Sequence, residues 1–233
     1  MERFKRTVQL FEKANFEKIS QSNILVVGVG GVGGYVCEVL ARSGVGQITI
    51  IDFDVVDITN INRQIIALDS TIGKYKVDVL KDRMLQINPL IKVNAVKEKI
   101  TKQNLMIYLN QNYTYVIDAI DSIDDKIELI KACKDLNLNI VSAMGTANRI
   151  DVPQYVVSDI YKTHNDGLAK KVRKLLRECG VKSLDVVYSP NVQNSSNILG
   201  SVAYHPSVCG ITIAGYVINQ IIKKGENYGS NNN

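Results

Sequence analysis

The sequence predicts an α/β fold built on a doubly wound, largely parallel sheet, and three features predict it. Strand-type and helix-type apolar patterns alternate through the first 145 residues, one strand runs directly into a glycine cluster that opens a helix, and a carboxylate closes the next strand. In order, a helix is predicted over Glu2–Lys18, then a buried strand over Asn23–Val29 (NILVVGV). A helix over Val32–Ser43 stops at Gly44, and Gln47–Asp52 (QITIID) is the second strand, completing a βαβ unit of about 30 residues. Asp54–Leu68 is polar and turn-rich. Lys74–Ile87 has helical apolar spacing halted before Pro89, and Val93–Lys97 reads as a strand. Tyr115–Ala119, Ile123–Leu136 and Asn139–Ala143 continue as strand, helix and strand, so the sheet is expected to be Rossmann-like. Beyond Gly145 the alternation lapses. Residues 1–145 are therefore expected to form the nucleotide-binding core, 146–224 a C-terminal lobe of the same fold and 225–233 a flexible tail, with Asn191–Gly200 a mobile loop.

Composition narrows the class. The 233 residues, 45% hydrophobic and 22% charged with 16 Gly and 4 Pro, suit a folded domain and exclude a low-complexity or collagen-like chain. No apolar run reaches the ~20 residues of a spanning helix, so no membrane span is expected. The N-terminal MERFKRTVQLFEKANF carries charges of both signs where a signal peptide needs an apolar stretch, and a cytoplasmic location is expected. Cys37, Cys133, Cys179 and Cys209 lie far apart with no CxxC pair, which argues against a zinc knuckle and for inert thiols. The net charge of +5 permits an anionic partner without requiring one.

Gly28-Val29-Gly30-Gly31-Val32-Gly33 stands where a strand hands over to a helix, so backbone N–H groups and the helix N-terminus can approach a phosphate. Asp52, 24 residues after Gly28, ends the following strand, where a carboxylate can accept hydrogen bonds from ribose hydroxyls. These features alone also fit an NAD-dependent dehydrogenase. Arg63 and Lys76 lie beyond the second strand on the edge of the same crevice, and two placed cations favour a triphosphate over a dinucleotide. Asp121, after the strand Tyr115–Ala119, is a candidate Mg²⁺ ligand at the carboxyl edge of the sheet.

The series GxGGxG, DFDxVxxxNxNRQ, GxxK and DAIDS, in this order between Arg3 and Gly145, resembles the ubiquitin-activating-like (ThiF/MoeB/HesA) adenylating superfamily. The resemblance implies that ATP is bordered by Gly28, Gly30, Gly31, Gly33, Asp52, Asp54, Asn60, Arg63, Gln64, Lys76 and Asp118. It also implies catalytic roles for Arg63, Lys76 and Asp121, with Asp121 holding Mg²⁺. Arg6, in RFKR, is the match to an arginine that reaches across a homodimer to the γ-phosphate. Members of this superfamily adenylate a carboxylate, and those that load carrier proteins commonly have paired CxxC motifs and an acyl-accepting cysteine. The pairs are missing here, and Cys209 and then Cys179 are the best thiol candidates, both disfavoured.

The tRNA threonylcarbamoyladenosine dehydratases are a closer resemblance. It extends through DAIDSIDDKIELI, through SDIYKTHNDGLAKKVRKLLRECGVK and into GSVAYHPSVCG followed by an apolar helix, with Gly167 where the family usually has Pro. The resemblance implies ATP-dependent cyclisation of threonylcarbamoyladenosine beside the anticodon, a tRNA substrate, a homodimer and a sulfur-transfer (cysteine desulfurase) partner. A monovalent cation is left as an open possibility near the site. An adenylated carboxylate attacked from within its own substituent needs no enzyme thiol, because an intramolecular nucleophile has a very high effective molarity. The alternative is activation of the Gly-Gly carboxylate of a sulfur-carrier or ubiquitin-like protein. Across Asp166–Cys179 apolar residues repeat at helical spacing, with Lys170, Lys171, Arg173, Lys174 and Arg177 on the other side as candidate tRNA contacts. Tyr161 and Tyr188 are candidates to stack a splayed base or to pack in the core or at the rim.

Overall fold

Val, Ile and Leu fill β1 (Asn23–Val27), and four of its five residues are fully enclosed, the mark of a parallel strand covered on both faces. The computed structural model describes residues 2–194 and 198–223. The expected tail 225–233 lies outside the described residues, as does part of the loop 191–200.

After α1 (Lys5–Gln21) and β1 come α2 (Gly33–Arg42), β2 (Gln47–Ile51), α3 (Lys76–Ile87) and β3 (Lys92–Val96). Then follow α4 (Leu105–Leu109), β4 (Tyr115–Asp118), α5 (Ile123–Asp135) and β5 (Ile140–Ala143). The chain continues through β6 (Val156–Asp159), α6 (Gly167–Glu178), β7 (Asp185–Tyr188) and α7 (Tyr204–Lys223). The strands form one sheet in the order β3-β2-β1-β4-β5-β7-β6, parallel except for β6 against β7. Strand order reverses between β1 and β4, and ligands of such sheets bind at that switch point, outside the carboxyl ends.

Alternate residues of each central strand face opposite layers. Ile24 and Val26 pack with Leu40 of α2, Leu80 of α3 and Ile213 of α7, while Leu25 and Val27 pack with Leu129 of α5 and Val172 of α6. Every one of these is buried, and each such side chain contributes roughly 1.5–3 kcal/mol. The boundary at residue 145 falls between β5 and β6, and residues beyond it extend the same sheet and the same two core layers. The sequence pattern missed β6, β7 and α4. The first two are four-residue strands and α4 a five-residue helix, too short for either period to register. The last helix starts at Tyr204, ahead of its apolar run. Pro206 sits in its first turn, where no intrahelical N–H bond is lost, and Gly210 lets α7 press on α2: a Cβ there would lie 2.5 Å from the Val32 carbonyl oxygen.

Candidate active site

The glycine turn is held shut by close backbone approach. Gly28 has φ +84°, and a Cβ there would lie 2.6 Å from the Ala119 carbonyl oxygen; at Gly33 a Cβ would lie 1.9 Å from the carbonyl oxygen of Gly28. Hydrogen alone fits at both positions, so the end of β1 and the start of α2 lie against the end of β4. Asp52 locks the turn from the other side. Its Oδ2 accepts from the Val29 N–H at 2.8 Å and its Oδ1 from the Asp54 N–H at 2.9 Å. Burial pushes the Asp52 carboxyl above its usual value, against the pull of those two N–H groups and of Lys76. Asp52 is thus first a brace for the turn, and it also borders the cavity beside it.

That cavity, of about 520 Å³, opens at the switch point. The two cations expected there both line it. Lys76, the first residue of α3 and 5% exposed, places Nζ 2.6 Å from Asp54 Oδ2. A bridge pairing Val55 with Tyr75, together with the Lys76 N–H on the Asp54 carbonyl at 3.0 Å, brings α3 back under the segment that follows β2. Arg63 follows a turn capped by Asp57, in which buried Asn60 accepts from the Asp57 N–H through Oδ1. Its guanidinium donates to the Thr59 carbonyl at 2.8 Å and to Asn62 Oδ1 at 2.9 Å, which aims the side chain along the cavity wall. Gly30, Gly31, Asp54, Asn60 and Gln64 also line the cavity, whereas Gly33, expected beside them, is buried in the first turn of α2 against the Gly28 carbonyl and does not line it.

Asp121 is exposed, lines the cavity and makes no hydrogen bond or ion pair among the described residues. An unengaged carboxylate lining the same cavity as two cations suits Mg²⁺, which takes one or two carboxylates and completes its shell from substrate phosphates and water. Asp118 departs from expectation. It is fully buried and absent from the cavity wall; its Oδ2 accepts from Lys126 Nζ at 2.7 Å and from the Ser142 hydroxyl, and its Oδ1 from the Ile120 N–H at 3.0 Å. Lys126, also fully buried, donates further to Ser142 Oγ and to the Ala143 carbonyl, each at 3.2 Å. The pair is a brace between β4, β5 and α5 that fixes the Ala119–Asp121 turn from behind. Within a motif spelled DAIDS, sequence alone does not say which aspartate turns inward.

Lys99 and Asp125, paired at 3.0 Å, together with Phe53, Thr146, Ser201 and Pro206, also line the cavity and were not anticipated. Lys99 follows β3 and Thr146 follows β5, so the rule that loops after parallel strands build the site points to both. Arg6 lies exposed on α1 and away from this cavity; neighbouring Arg3 donates to the Gln86 carbonyl and to that of Ile87 at the far end of α3.

On α6, Lys170, Lys171, Lys174 and Arg177 are exposed, whereas Val172 and Leu176 are buried. Arg173 differs from the expected surface set. Its guanidinium donates to the carbonyl and hydroxyl of Thr163, at 2.8 and 2.6 Å, and so closes the turn before the helix. Tyr161 hydrogen-bonds the Val181 carbonyl and carries the Arg177 guanidinium 5.2 Å above its ring, while the Tyr188 hydroxyl meets His164 Nδ1 at 3.2 Å. Tyr188 is therefore packed in the core and half-buried Tyr161 against its edge, and neither stands open for a base to stack on. Cys209 is fully buried in α7, and burial pushes its thiol far up, the reverse of what a nucleophile needs. Cys179 is exposed at the end of α6, away from the cavity.

A glycine turn at the switch point of a largely parallel sheet, with a lysine, an arginine and an unengaged aspartate lining the cavity beside it, defines a Rossmann-like protein with a site for an anionic nucleotide. The chain belongs to the ThiF family, whose model matches residues 4–233. It is similar to the tRNA threonylcarbamoyladenosine dehydratase of Bacillus subtilis, at 37% identity over 96% of both chains. It is also similar to solved structures of Escherichia coli tRNA N6-threonylcarbamoyladenosine dehydratase. The complex with ATP has a TM-score of 0.94 at 35% identity, covering 98% of this chain and 97% of that one; the complex with AMP has a TM-score of 0.93. A molybdopterin-synthase adenylyltransferase of Haemophilus influenzae matches at 28% identity over 70% of this chain. Activation of a carrier protein, the alternative reading, is therefore not favoured.

Proposed function

We propose that this chain is an ATP-dependent tRNA threonylcarbamoyladenosine dehydratase that adenylates the threonine carboxylate of the modified adenosine and so drives its cyclisation. The observation that carries this reading is the full-length likeness to dehydratases, joined to a cavity whose cations suit a triphosphate.

A carboxylate oxygen attacks the α-phosphorus of ATP, the bond to the β-phosphate breaks, and pyrophosphate leaves. An atom of the same substituent then attacks the acyl carbon and expels AMP. One oxygen of the substrate leaves in AMP and one proton is released, a net loss of water. The chain's task is to position the groups and to balance charge. The glycine turn presents backbone N–H groups to the phosphates, Asp52 keeps that turn closed, and Arg63 and Lys76 offset the charge that moves onto the leaving phosphates. Lys76 is held for this by Asp54, which is itself tied to Asp52 through its N–H. Asp121 would hold Mg²⁺, which when bound neutralises charge on the phosphates.

The reading includes a cytoplasmic location, a cysteine desulfurase partner, and a homodimer in which Arg6 serves the other copy's γ-phosphate. Support for the last is that Arg6 is exposed and does not line its own chain's cavity. Sedimentation of the wild type and of Arg6→Ala, with ATP turnover beside it, tests dimer and arginine separately. Mass spectrometry of tRNA nucleosides after incubation with protein and ATP tests the activity. The hypermodified adenosine is expected to lose one water with stoichiometric AMP, and unchanged nucleoside masses would reject the assignment.

A further inference from the structure

A second cavity of about 510 Å³ adjoins the first: Val32, Ala119, Ile120, Asp121 and Thr146 line both. On the assignment above, we propose that this second cavity receives the modified adenine base, with its threonylcarbamoyl arm threaded through the shared wall toward the α-phosphate. Three observations carry it.

The first is the contact between the cavities. Because five residues are common to both, the cavities share a wall, and a group seated in the second lies beside one in the first. Val32 is the N-cap residue of α2 and lines both cavities, so the amino end of that helix borders the shared wall and favours an anionic carboxylate over a neutral group. The second is the chemistry of the walls. Ile120, Ile123, Met144 and Leu168 offer apolar surface for a purine face, while Asn148 and Lys171 offer polar groups for the arm. The volume falls within the ~300–1,000 Å³ of sites that enclose small ligands. The third is continuity with the basic helix. Leu168 and Lys171 belong to the first turns of α6, and exposed Lys170, Lys174 and Arg177 carry positive charge onward from the rim. A nucleotide flipped into the cavity thus leaves its flanking phosphates beside cations, the arrangement expected where chemistry is done on a base removed from its stack.

The wall is built to stay in place. Asp166 caps α6 by accepting from the Ala169 N–H at 2.8 Å and also accepts from the Gly145 N–H at 3.0 Å. Arg149, 2% exposed, lies 3.4 Å from that carboxylate and donates to the Asn191 carbonyl at 2.7 Å. This buried pair binds the end of β5 to the start of α6 and to the segment after β7, the three pieces that frame the cavity.

The test fills the cavity without touching the nucleotide turn. Leu168→Trp and Ala147→Phe, on opposite pieces of the frame, are compared with wild type for thermal unfolding, ATP affinity, binding of threonylcarbamoylated tRNA and single-turnover dehydration. Dehydration is expected to fall about 100-fold in each folded variant, with ATP and tRNA affinities within about threefold, because misplacing the reacting group by an ångström or so costs that much. Retention of dehydration in either folded variant overturns the proposal, as does loss of ATP binding in both, which would make the second cavity part of the nucleotide site. Absence of dehydration in the wild type rejects instead the assigned activity.

Discussion

Replacing Lys126 by methionine isolates the brace behind the active-site turn. Lys126 and Asp118 are both fully buried, 2.7 Å apart, and removing one member strands the other charge. Breaking a buried pair in this way costs about 3–5 kcal/mol. At about 2–4 °C per kcal/mol for a domain of this size, the unfolding midpoint should drop by roughly 6–20 °C. Adding Asp118→Asn removes the stranded charge while keeping an oxygen for the Ile120 N–H, so the double variant should recover part of the loss. Urea titrations of the four proteins in a double-mutant cycle measure the coupling. Because neither side chain lines the cavity, ATP affinity of the folded double variant should stay near wild type. A Lys126→Met cost below ~1 kcal/mol would refute the brace, the size of an exposed pair. A tenfold loss of ATP affinity in the folded double variant would return Asp118 to the nucleotide.

Further outcomes are expected. Lys76→Ala removes a cation from the phosphate wall and the partner of Asp54, and single-turnover adenylation should fall about 10²–10³-fold while the fold persists. Lys170→Ala and Lys174→Ala each should lower the slope of log tRNA affinity against log salt by about 1, with ATP affinity unchanged. Cys179→Ala and Cys209→Ala should dehydrate tRNA at close to the wild-type rate, since one thiol lies away from the cavity and the other is sealed in α7; trapping of an acyl thioester on either would contradict the mechanism. Burial opposes ionisation of Glu38, yet hydrogen bonds from Arg83 and Arg42 outweigh it and leave its carboxyl below the usual 4.5. The folded state therefore favours the ionised form, so this stability is present above about pH 4.5 and lost as pH falls through the lowered value. Urea midpoints of Glu38→Gln should show a flatter acid limb than wild type.

Much of the site was legible because its chemistry is local in the chain. Glycines that need a missing Cβ, a carboxylate at a strand end and cations at set distances leave their mark in the residue order, and Gly28, Asp52, Arg63, Lys76 and Asp121 do line or brace one cavity. Other residues were legible in type and not in direction. Asp118 and Asp121 stand three apart in one motif, yet the end of β4 turns the first onto buried Lys126 and the second into the open. Arg173 shares a helix face pattern with its basic neighbours but reaches Thr163 because the turn before α6 folds beneath it.

Sequence by itself determined the parallel α/β core and the triphosphate-type crevice, since helical and strand periods and backbone sterics act between neighbours in the chain. Only the tertiary structure decided that residues beyond 145 join the same sheet, that Lys99 and Thr146 border the nucleotide cavity, and that a second cavity opens beside the first. Those facts depend on which strand ends the sheet order brings together. Short strands such as β6 and β7 take their place from the partners they pair with, not from a pattern of their own.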